Sequence, residues 1–218
     1  MAKTVGFIGS GNMGRAIMGG MIAAGLYTPS QILASARTKE TVEKIEKELG
    51  VVATTDNATV AKKADILFLA VKPGVFATVI PEIRDCCKEG QIVVSIAAGQ
   101  TLTSITEMFG HEIKLVRAMP NTPALVGEAM SAVTPNNHVD EEEIQEVMAI
   151  FESFGKAEIV PETMMDAVIG VSGSSPAYVY MFIEAMADAA VADGMPRKQA
   201  YKFAAQSVLC LLYTSDAA

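Results

Sequence analysis

The chain has 218 residues, half of them hydrophobic and 19% charged, so it can bury a sizeable core and is not a disordered chain. Its formal net charge is -8 and its pI is about 4.8, with no Lys/Arg cluster, which argues against nucleic acid and anionic membrane surfaces as partners. The sequence carries no export signal, no membrane-spanning stretch and an odd number of cysteines, so we expect a cytoplasmic protein with reduced thiols.

Short apolar runs alternate with helical patterns up to about residue 160, and only helical patterns follow. The predicted strands and helices of the first part are, in chain order, strand 3–8, helix 12–25, strand 31–36, helix 38–49, strand 64–71, helix 74–85, strand 91–97, helix 102–109, strands 112–119 and 128–135, a helix from 140 and a strand at 157–161. Helices are then predicted at 162–169, 176–193 and 196–209. This order predicts an α/β protein with a Rossmann-type, doubly wound parallel sheet over residues 1–160 and an all-helical domain from 161 to 218.

The first predicted strand ends in Gly9-Ser10-Gly11-Asn12-Met13-Gly14, and a helix follows. The spacing G-x-G-x-x-G between a strand and a helix is typical of dinucleotide binding. Gly9 permits the tight turn, Gly11 lets a pyrophosphate approach the backbone, and Gly14 lets the helix pack close to the strand. The alternative is a tight strand-to-helix turn that binds no ligand, although such a turn needs fewer glycines.

The end of the second predicted strand indicates which dinucleotide binds. Enzymes that use NAD carry an acidic residue there for the ribose hydroxyls, and this chain has Ser35, Arg37, Thr38 and Lys39 instead. A cation among hydroxyl groups suits a 2′-phosphate, so NADPH is favoured over NADH. The alternative is that Arg37 is a solvated side chain before a helix.

The later strand ends fit the same ligand, because ligands of such sheets lie beyond the carboxyl ends of the strands. Small residues after the third and fourth strands leave room for a flat nicotinamide, and Asn121 after the fifth offers an amide donor and acceptor. Lys72 is interpreted as a general acid, a cofactor contact or a solvated lysine. The two histidines, His111 and His138, have no companions at metal-ligand spacing, so no metal site is expected.

Five segments together resemble the pyrroline-5-carboxylate reductase family over about residues 5–209. They are FIGSGNMG (7–14), LFLAVKP (67–73), VVSIAAG (93–99), RAMPNTPA (117–124) and DAVIGVSGSSPAYVY (166–180). The resemblance implies a Rossmann domain followed by a helical dimerisation domain, and a homodimer or higher homo-oligomer. It also implies reduction of the C=N bond of 1-pyrroline-5-carboxylate to L-proline, the last step of proline biosynthesis, with NADPH as the usual cofactor and NADH as the alternative.

The resemblance also implies a set of site residues. Cofactor contacts are expected from Gly9, Gly11, Asn12, Met13, Ser35, Ala36, Arg37, Asn57, Ala70, Val71, Lys72, Pro73, Ile96, Ala97 and Ala98, and the residue pattern adds Asn121. Glu162 matches a family position near the substrate. No catalytic residue is assigned, because the family's Ser-Pro-Gly-Gly-Thr-Thr substrate loop has no counterpart in this sequence.

The C-terminal residues 210–218 do not resemble the family, so we expect a C-terminally truncated chain whose last nine positions are foreign to it. Two other functions stay open. One is a dinucleotide-binding fragment without turnover, and since a helical domain that is cut short exposes apolar helix faces, we expect the truncated chain to aggregate or to be weakly stable. The other is a hydroxyacid-dehydrogenase type of Rossmann reductase, which places a catalytic lysine in its helical domain. The lysines after residue 160 are Lys198 and Lys202, both at predicted surface positions.

Overall fold

The computed structural model describes residues 3–214, and the eight strands within that range form one sheet. The strands are β1 Val5–Ile8, β2 Ile32–Ser35, β3 Val52–Thr54, β4 Ile66–Leu69, β5 Ile92–Ser95, β6 Lys114–Met119, β7 Ala129–Pro135 and β8 Gly155–Ile159. Their spatial order is β3-β2-β1-β4-β5-β6-β7-β8, and every neighbouring pair is parallel except β6 and β7. This confirms the Rossmann-type sheet predicted from the alternating pattern.

Helices connect the strands and cover both faces of the sheet. These helices are α1 Asn12–Ala23, α2 Lys39–Leu49, α3 Asn57–Lys63, α4 Phe76–Ile83, α5 Leu102–Phe109 and α6 Glu141–Glu152. Three more helices follow the last strand, and they are α7 Met165–Val168, α8 Ser175–Ala192 and α9 Arg197–Thr214. Capping side chains and glycines determine where several of these helices begin or end. The Asp140 carboxylate accepts a hydrogen bond from the Glu143 N–H at the start of α6, and Gly50, at φ 69°, ends α2 in the left-handed conformation.

Three features of the first 170 residues differ from the predicted elements. β3 and α3 were not predicted, because a three-residue strand at a sheet edge and a seven-residue helix are too short to show a period. β7 runs antiparallel to β6, since the connection over residues 120–128 is too short for a parallel crossover. The helix predicted at 162–169 is a 3-10 turn, the short α7 and a π-helical turn at Ile169–Gly173, where two glycines weaken the α-helical preference.

The central strands are buried on both faces, as their continuous apolar runs require. On one face the rings of Phe7 and Phe68 stack with centroids 4.7 Å apart, and Phe151 of α6 lies 6.0 Å from Phe68. The other face packs β1, β4 and β5 against α3, α4 and α5. The packing on both faces therefore fixes the strands whose carboxyl ends carry the loops of the candidate site.

The chain divides into two compact units, the first ending at Ile169 and the second beginning at Gly170. In the second unit, α8 and α9 pack through Ala187, Ala200 and Ala204. The functional division predicted at 160/161 stays a prediction. Within the described residues, no helix is both long and apolar enough to cross a bilayer. Of the segment 210–218, predicted to be foreign to the family, positions up to Thr214 continue α9 and the rest lie outside the described residues.

Candidate functional site

The carboxyl ends of the central strands lie level with one another at one edge of the sheet. Ile8 of β1 pairs with Ser35 of β2 and with Leu69 of β4, and Leu69 pairs with Ser95 of β5. The segments that follow these strands carry most of the predicted site residues, so the fold brings them to a common edge.

The glycine turn after β1 has the shape that a dinucleotide requires. Gly9 has a φ of +95°, and a Cβ added there would lie 2.6 Å from the Cγ1 atom of Val71. A Cβ on Gly14 would lie 3.0 Å from the carbonyl oxygen of Gly9, whereas one on Gly11 would meet no atom within 4 Å. Gly9 is therefore required by its backbone conformation and its packing, a side chain on Gly14 would crowd the Gly9 carbonyl, and Gly11 leaves an open approach to the backbone.

The first turn of α1 presents backbone N–H groups that none of the described side chains caps. Gly11 is its N-cap, no side chain in the described part of the protein caps it, and its first turn contains no acidic residue. The N–H groups there are therefore available to a phosphate, with the helix dipole in support. Arg15 holds the side chain of Asn12 by donating to its Oδ1 atom over 2.9 Å, while a second nitrogen of Arg15 donates to Glu48 over 3.2 Å.

Ser35, at the end of β2, is buried and supports the turn from behind. Its Oγ atom accepts a hydrogen bond from the Gly9 N–H over 3.3 Å and donates to Asn57 Oδ1 over 2.7 Å. The Ser10 hydroxyl donates to the carbonyl oxygen of Ser35 over 2.7 Å. Ala36 is also buried, and its N–H donates to the Thr54 carbonyl.

Two exposed cations follow β2 at the same edge of the sheet. Arg37 and Lys39 are exposed, whereas the hydroxyl oxygen of Thr38 is the N-cap of α2 and accepts from the Thr41 N–H over 3.3 Å. Arg37 and Lys39 are thus the groups of this segment that can meet a phosphate, and Thr38 has a local structural role.

Alongside larger residues, the segments after β4 and β5 contain the small residues Ala70, Ala97 and Ala98. The Ala70 N–H donates to the Ile8 carbonyl over 2.9 Å, Val71 contacts the glycine turn, and Pro73 begins a 3-10 turn. Lys72 is exposed.

After β5, Ile96 is half-buried, Ala97 is buried and Ala98 is exposed. Asn121 lies farther along the sheet, and its Oδ1 atom accepts from the Met130 N–H over 2.9 Å, so this side chain fixes the start of β7.

A buried ion pair that the sequence analysis did not assign lies next to the β5 segment. Arg117 of β6 is 7% exposed, and its Nη1 atom lies 2.8 Å from the Oε1 atom of Glu162. The same oxygen accepts from the N–H of Leu102, the first residue of α5, over 2.8 Å. An arginine inside the apolar run of β6 was the signal in the sequence, because a buried cation requires a partner.

The histidine and cysteine side chains of the first unit lie away from the carboxyl ends of the central strands or take part in other contacts. His138 Nε2 is 2.9 Å from Glu112 Oε2, beside a surface cleft of about 410 Å³ that Lys88, Gln91 and His111 also line. Within residues 3–214 no group of three His, Cys, Asp or Glu side chains is arranged to hold a metal ion. Cys87 is a free thiol, and burial, followed by the neighbouring Cys86, raises its pKa to about 11, so it is a poor nucleophile near neutral pH.

Two family profiles match the chain. Residues 4–99 match the family described as NADP oxidoreductase coenzyme F420-dependent, and residues 162–214 match pyrroline-5-carboxylate reductase dimerisation. The pyrroline-5-carboxylate reductase of Escherichia coli is 53% identical over 209 residues, which cover 96% of this chain and 78% of that protein. The enzyme of the same name from Methanosarcina acetivorans is 42% identical over 207 residues, covering 95% of this chain and 77% of its own length.

Solved structures agree with these matches. A pyrroline-5-carboxylate reductase from Coxiella burnetii superposes with a TM-score of 0.93 at 32% identity, covering 100% of this chain and 81% of that one. The Plasmodium falciparum pyrroline carboxylate reductase with NADP bound gives a TM-score of 0.90 at 30% identity, covering 99% and 79% of the two chains.

Proposed function

The chain belongs to the pyrroline-5-carboxylate reductase family of NAD(P)H oxidoreductases, and from that premise we propose that it reduces the C=N bond of 1-pyrroline-5-carboxylate with NADPH, giving L-proline. The observation that carries the proposal is the glycine turn. Gly9 has no room for a side chain, Gly14 has little, Gly11 faces open space, and the first turn of α1 presents uncapped N–H groups. This is the arrangement that binds the pyrophosphate of a dinucleotide.

The proposed cofactor site follows the strand ends. Gly9, Gly11, Asn12 and Met13 would hold the pyrophosphate, with Asn57 and Arg37 on the adenosine side and Arg37 facing the 2′-phosphate. The segments Ala70–Pro73 and Ile96–Ala98 would lie along the nicotinamide half, where small side chains leave room for a flat ring. The exposed Arg37, with Lys39 two residues on, supports NADPH over NADH, because a guanidinium binds a phosphate with two parallel hydrogen bonds.

The reaction requires positioning more than acid–base chemistry. When bound, the dinucleotide supplies a hydride from C4 of its nicotinamide. The protein must hold that carbon and the imine carbon in line, at about 3–3.5 Å, and exclude water. A protonated imine is already electrophilic, so no metal and no strong base are needed at the carbon that is reduced.

Glu162 is the proposed substrate-side residue. Its Oε1 atom is occupied by Arg117 and the Leu102 N–H, which anchors the carboxylate beside the segment that follows β5. A carboxylate anchored there would attract the cationic imine and favour its protonated form. Arg117 then acts by holding Glu162 in place.

We also propose that the protein is a cytoplasmic homo-oligomer. The match of residues 162–214 to the dimerisation family supports an assembly between copies of this chain. Large apolar side chains of the helical unit, among them Tyr180, Met181 and Phe182, are more than half exposed in the single chain. Such surfaces are typical of subunit interfaces.

The test compares Gly11→Val with Gly19→Ala. A Cβ added at Gly11 meets no protein atom within 4 Å, so we expect the valine to leave the fold unchanged while it occupies the space through which the pyrophosphate approaches. We expect NADPH binding, measured by fluorescence, to weaken at least about tenfold in Gly11→Val, with an unchanged melting temperature. Gly19→Ala, in the same helix and with its nearest neighbour 3.9 Å away, should bind normally.

Turnover is measured in parallel as oxidation of NADPH on addition of 1-pyrroline-5-carboxylate. Binding with turnover supports the reductase. Binding without turnover would favour a dinucleotide-binding fragment, and oxidation of a hydroxyacid would favour the dehydrogenase alternative. Equal NADPH affinity in Gly11→Val and the unmodified chain would reject the site.

A further inference from the structure

A chain of three hydrogen bonds links the exposed surface of α4 to the glycine turn. Glu82 Oε2 accepts from Asn57 Nδ2 over 2.7 Å, Asn57 Oδ1 accepts from Ser35 Oγ over 2.7 Å, and Ser35 Oγ accepts from the Gly9 N–H over 3.3 Å. We propose that Glu82 is a positioning residue of the cofactor site, which sets the direction of this chain and so holds Gly9 in the conformation that receives the pyrophosphate. The inference rests on the proposed dinucleotide site.

The direction follows from the chemistry of the groups. An ionised carboxylate only accepts hydrogen bonds, so Asn57 must turn its NH₂ group toward Glu82 and its oxygen toward Ser35. The Ser35 hydroxyl then donates its single proton to Asn57. A lone pair of the Ser35 oxygen is left facing the Gly9 N–H, which is a donor.

The Ser35 hydroxyl has two possible acceptors for its proton, and Glu82 determines which of them it uses. The carbonyl oxygen of Phe7 lies 3.4 Å from Ser35 Oγ, a longer and weaker contact than the 2.7 Å bond to Asn57. A glutamine at position 82 could offer Asn57 either its oxygen or its own NH₂ group, so the amide of Asn57 would no longer be held in one orientation and could present its NH₂ group to Ser35. That NH₂ group would compete with the Gly9 N–H for the same oxygen, and the turn would lose its support.

The burial of the three side chains matches these roles. Ser35 is 1% exposed, Asn57 is half-buried, and Glu82 is exposed on α4. Replacing the Glu82 carboxylate by an amide therefore leaves no cavity in the core. The buried end of the chain is where an unsatisfied or misdirected polar group matters most.

A simple charge effect predicts the opposite change in affinity, so binding measurements distinguish it from positioning. The dinucleotide is an anion, so a nearby carboxylate should repel it, and NADPH more than NADH because of the extra phosphate. On that basis alone Glu82→Gln should tighten binding, most strongly for NADPH. Positioning through Asn57 and Ser35 predicts weaker binding of both dinucleotides by a similar factor, because they share the pyrophosphate.

The experiment measures NADPH and NADH affinity by fluorescence in Glu82→Gln, Ser35→Ala and the double variant. We expect Glu82→Gln to weaken both dinucleotides by about threefold to tenfold, with the melting temperature nearly unchanged. In the Ser35→Ala background the chain is already broken, so Glu82→Gln should have no further effect. Glu89→Gln, at an exposed glutamate before β5, is the charge-matched control and should bind as the unmodified chain does.

Several results would overturn the inference. They are unchanged or tighter binding in Glu82→Gln, independent effects of the two substitutions, or a lowered melting temperature with unchanged affinity, which would leave Glu82 a structural role only. These results are distinct from failure of the proposed function, in which the unmodified chain would bind neither dinucleotide.

Discussion

At the scale of single residues, the Arg117–Glu162 pair has the largest expected energetic effect. Arg117 is almost completely buried in the sheet, and Glu162 is 29% exposed at the side chain. Removing one partner of such a pair leaves a charge without compensation in a poorly solvated place. The same pair holds the start of α5, so stability and site geometry depend on it together.

We therefore predict that Glu162→Ala lowers the free energy of unfolding by about 2–3 kcal/mol, near the lower limit for breaking a buried pair because the glutamate is partly solvated. Urea denaturation measures the effect. The exposed Glu152→Ala is the control, with an expected change below about 0.5 kcal/mol. If Glu162→Ala were as stable as the control, the pair would have no structural importance and the anchoring of Glu162 would have to be abandoned.

Asp65 provides a second residue-scale prediction, in the pH dependence of stability. Burial acts to raise its pKa, but the hydrogen bond from Lys88, the Thr4 N–H and the charges of Lys88 and Lys3 outweigh burial, so the pKa is lowered. A carboxyl with a lowered pKa in the folded state stabilises it above its unfolded pKa of about 3.9. That contribution is lost as the pH falls from there through the lowered value.

Asp65→Asn should accordingly be less stable than the unmodified chain at neutral pH, and the difference should shrink as the pH falls below about 4. Urea midpoints measured across this range test the sign. Asp85→Asn, at a highly exposed carboxylate, is the control and should change the stability little. A difference for Asp65→Asn that persists or grows in acid would contradict this account.

At the scale of secondary-structure elements, the first turn of α1 belongs to the proposed cofactor site, and the middle of this helix is tightly packed. Two neighbouring glycines, Gly19 and Gly20, lie within this helix, where glycine is less favourable than alanine by roughly 1 kcal/mol. A Cβ on Gly20 would lie 2.6 Å from the Cβ of Phe154, whereas one on Gly19 would be in ordinary contact at 3.9 Å. Gly20 is therefore needed for packing and Gly19 is not.

We predict opposite effects for alanine at these two positions. Gly19→Ala should raise the free energy of unfolding by up to about 1 kcal/mol through helix propensity. Gly20→Ala should lower it by about 1–3 kcal/mol, because overpacking outweighs the same gain. Thermal and urea unfolding of the two variants measure the difference, and equal stabilisation by both would show that α1 is free to move away from Phe154.

At the scale of the whole molecule, the second unit exposes more apolar side chain than a small soluble unit usually does. Phe182 of α8 is 57% exposed and Phe203 of α9 is 67% exposed. The match to a dimerisation family gives these surfaces a partner of the same sequence. Association and stability should therefore depend on protein concentration.

We predict that light scattering after size exclusion gives a dimer or larger assembly, and that Phe182→Asp shifts it toward monomer. A charge placed in an apolar interface must be desolvated without a partner, so dissociation should increase by at least about tenfold. Lys62→Asp, at an exposed position of the first unit, is the control. A monodisperse monomer of the unmodified chain, or an assembly indifferent to Phe182→Asp, would rule out this interface.

Much of this protein follows from its sequence alone. The alternation of apolar runs and helices, the strand-to-glycine-to-helix order at Gly9, and the acid-capped start of α6 are local patterns, and each depends on neighbours a few residues apart. They were enough to predict the Rossmann-type sheet, and the resemblance of five segments between residues 7 and 180 predicted the family. The individual cofactor contacts and the substrate-side role of Glu162 stay predictions.

Only the tertiary structure decided which side chains act together. Glu162 meets Arg117 across 45 positions of sequence, and Glu82 reaches Asn57 across 25 positions. Ser35, expected beside the cofactor, lies buried behind the turn, and β7 reverses direction because its connection is short. Such pairings arise from the packing of distant segments, and the direction of each hydrogen bond depends on every partner at once. A local pattern contains neither kind of information.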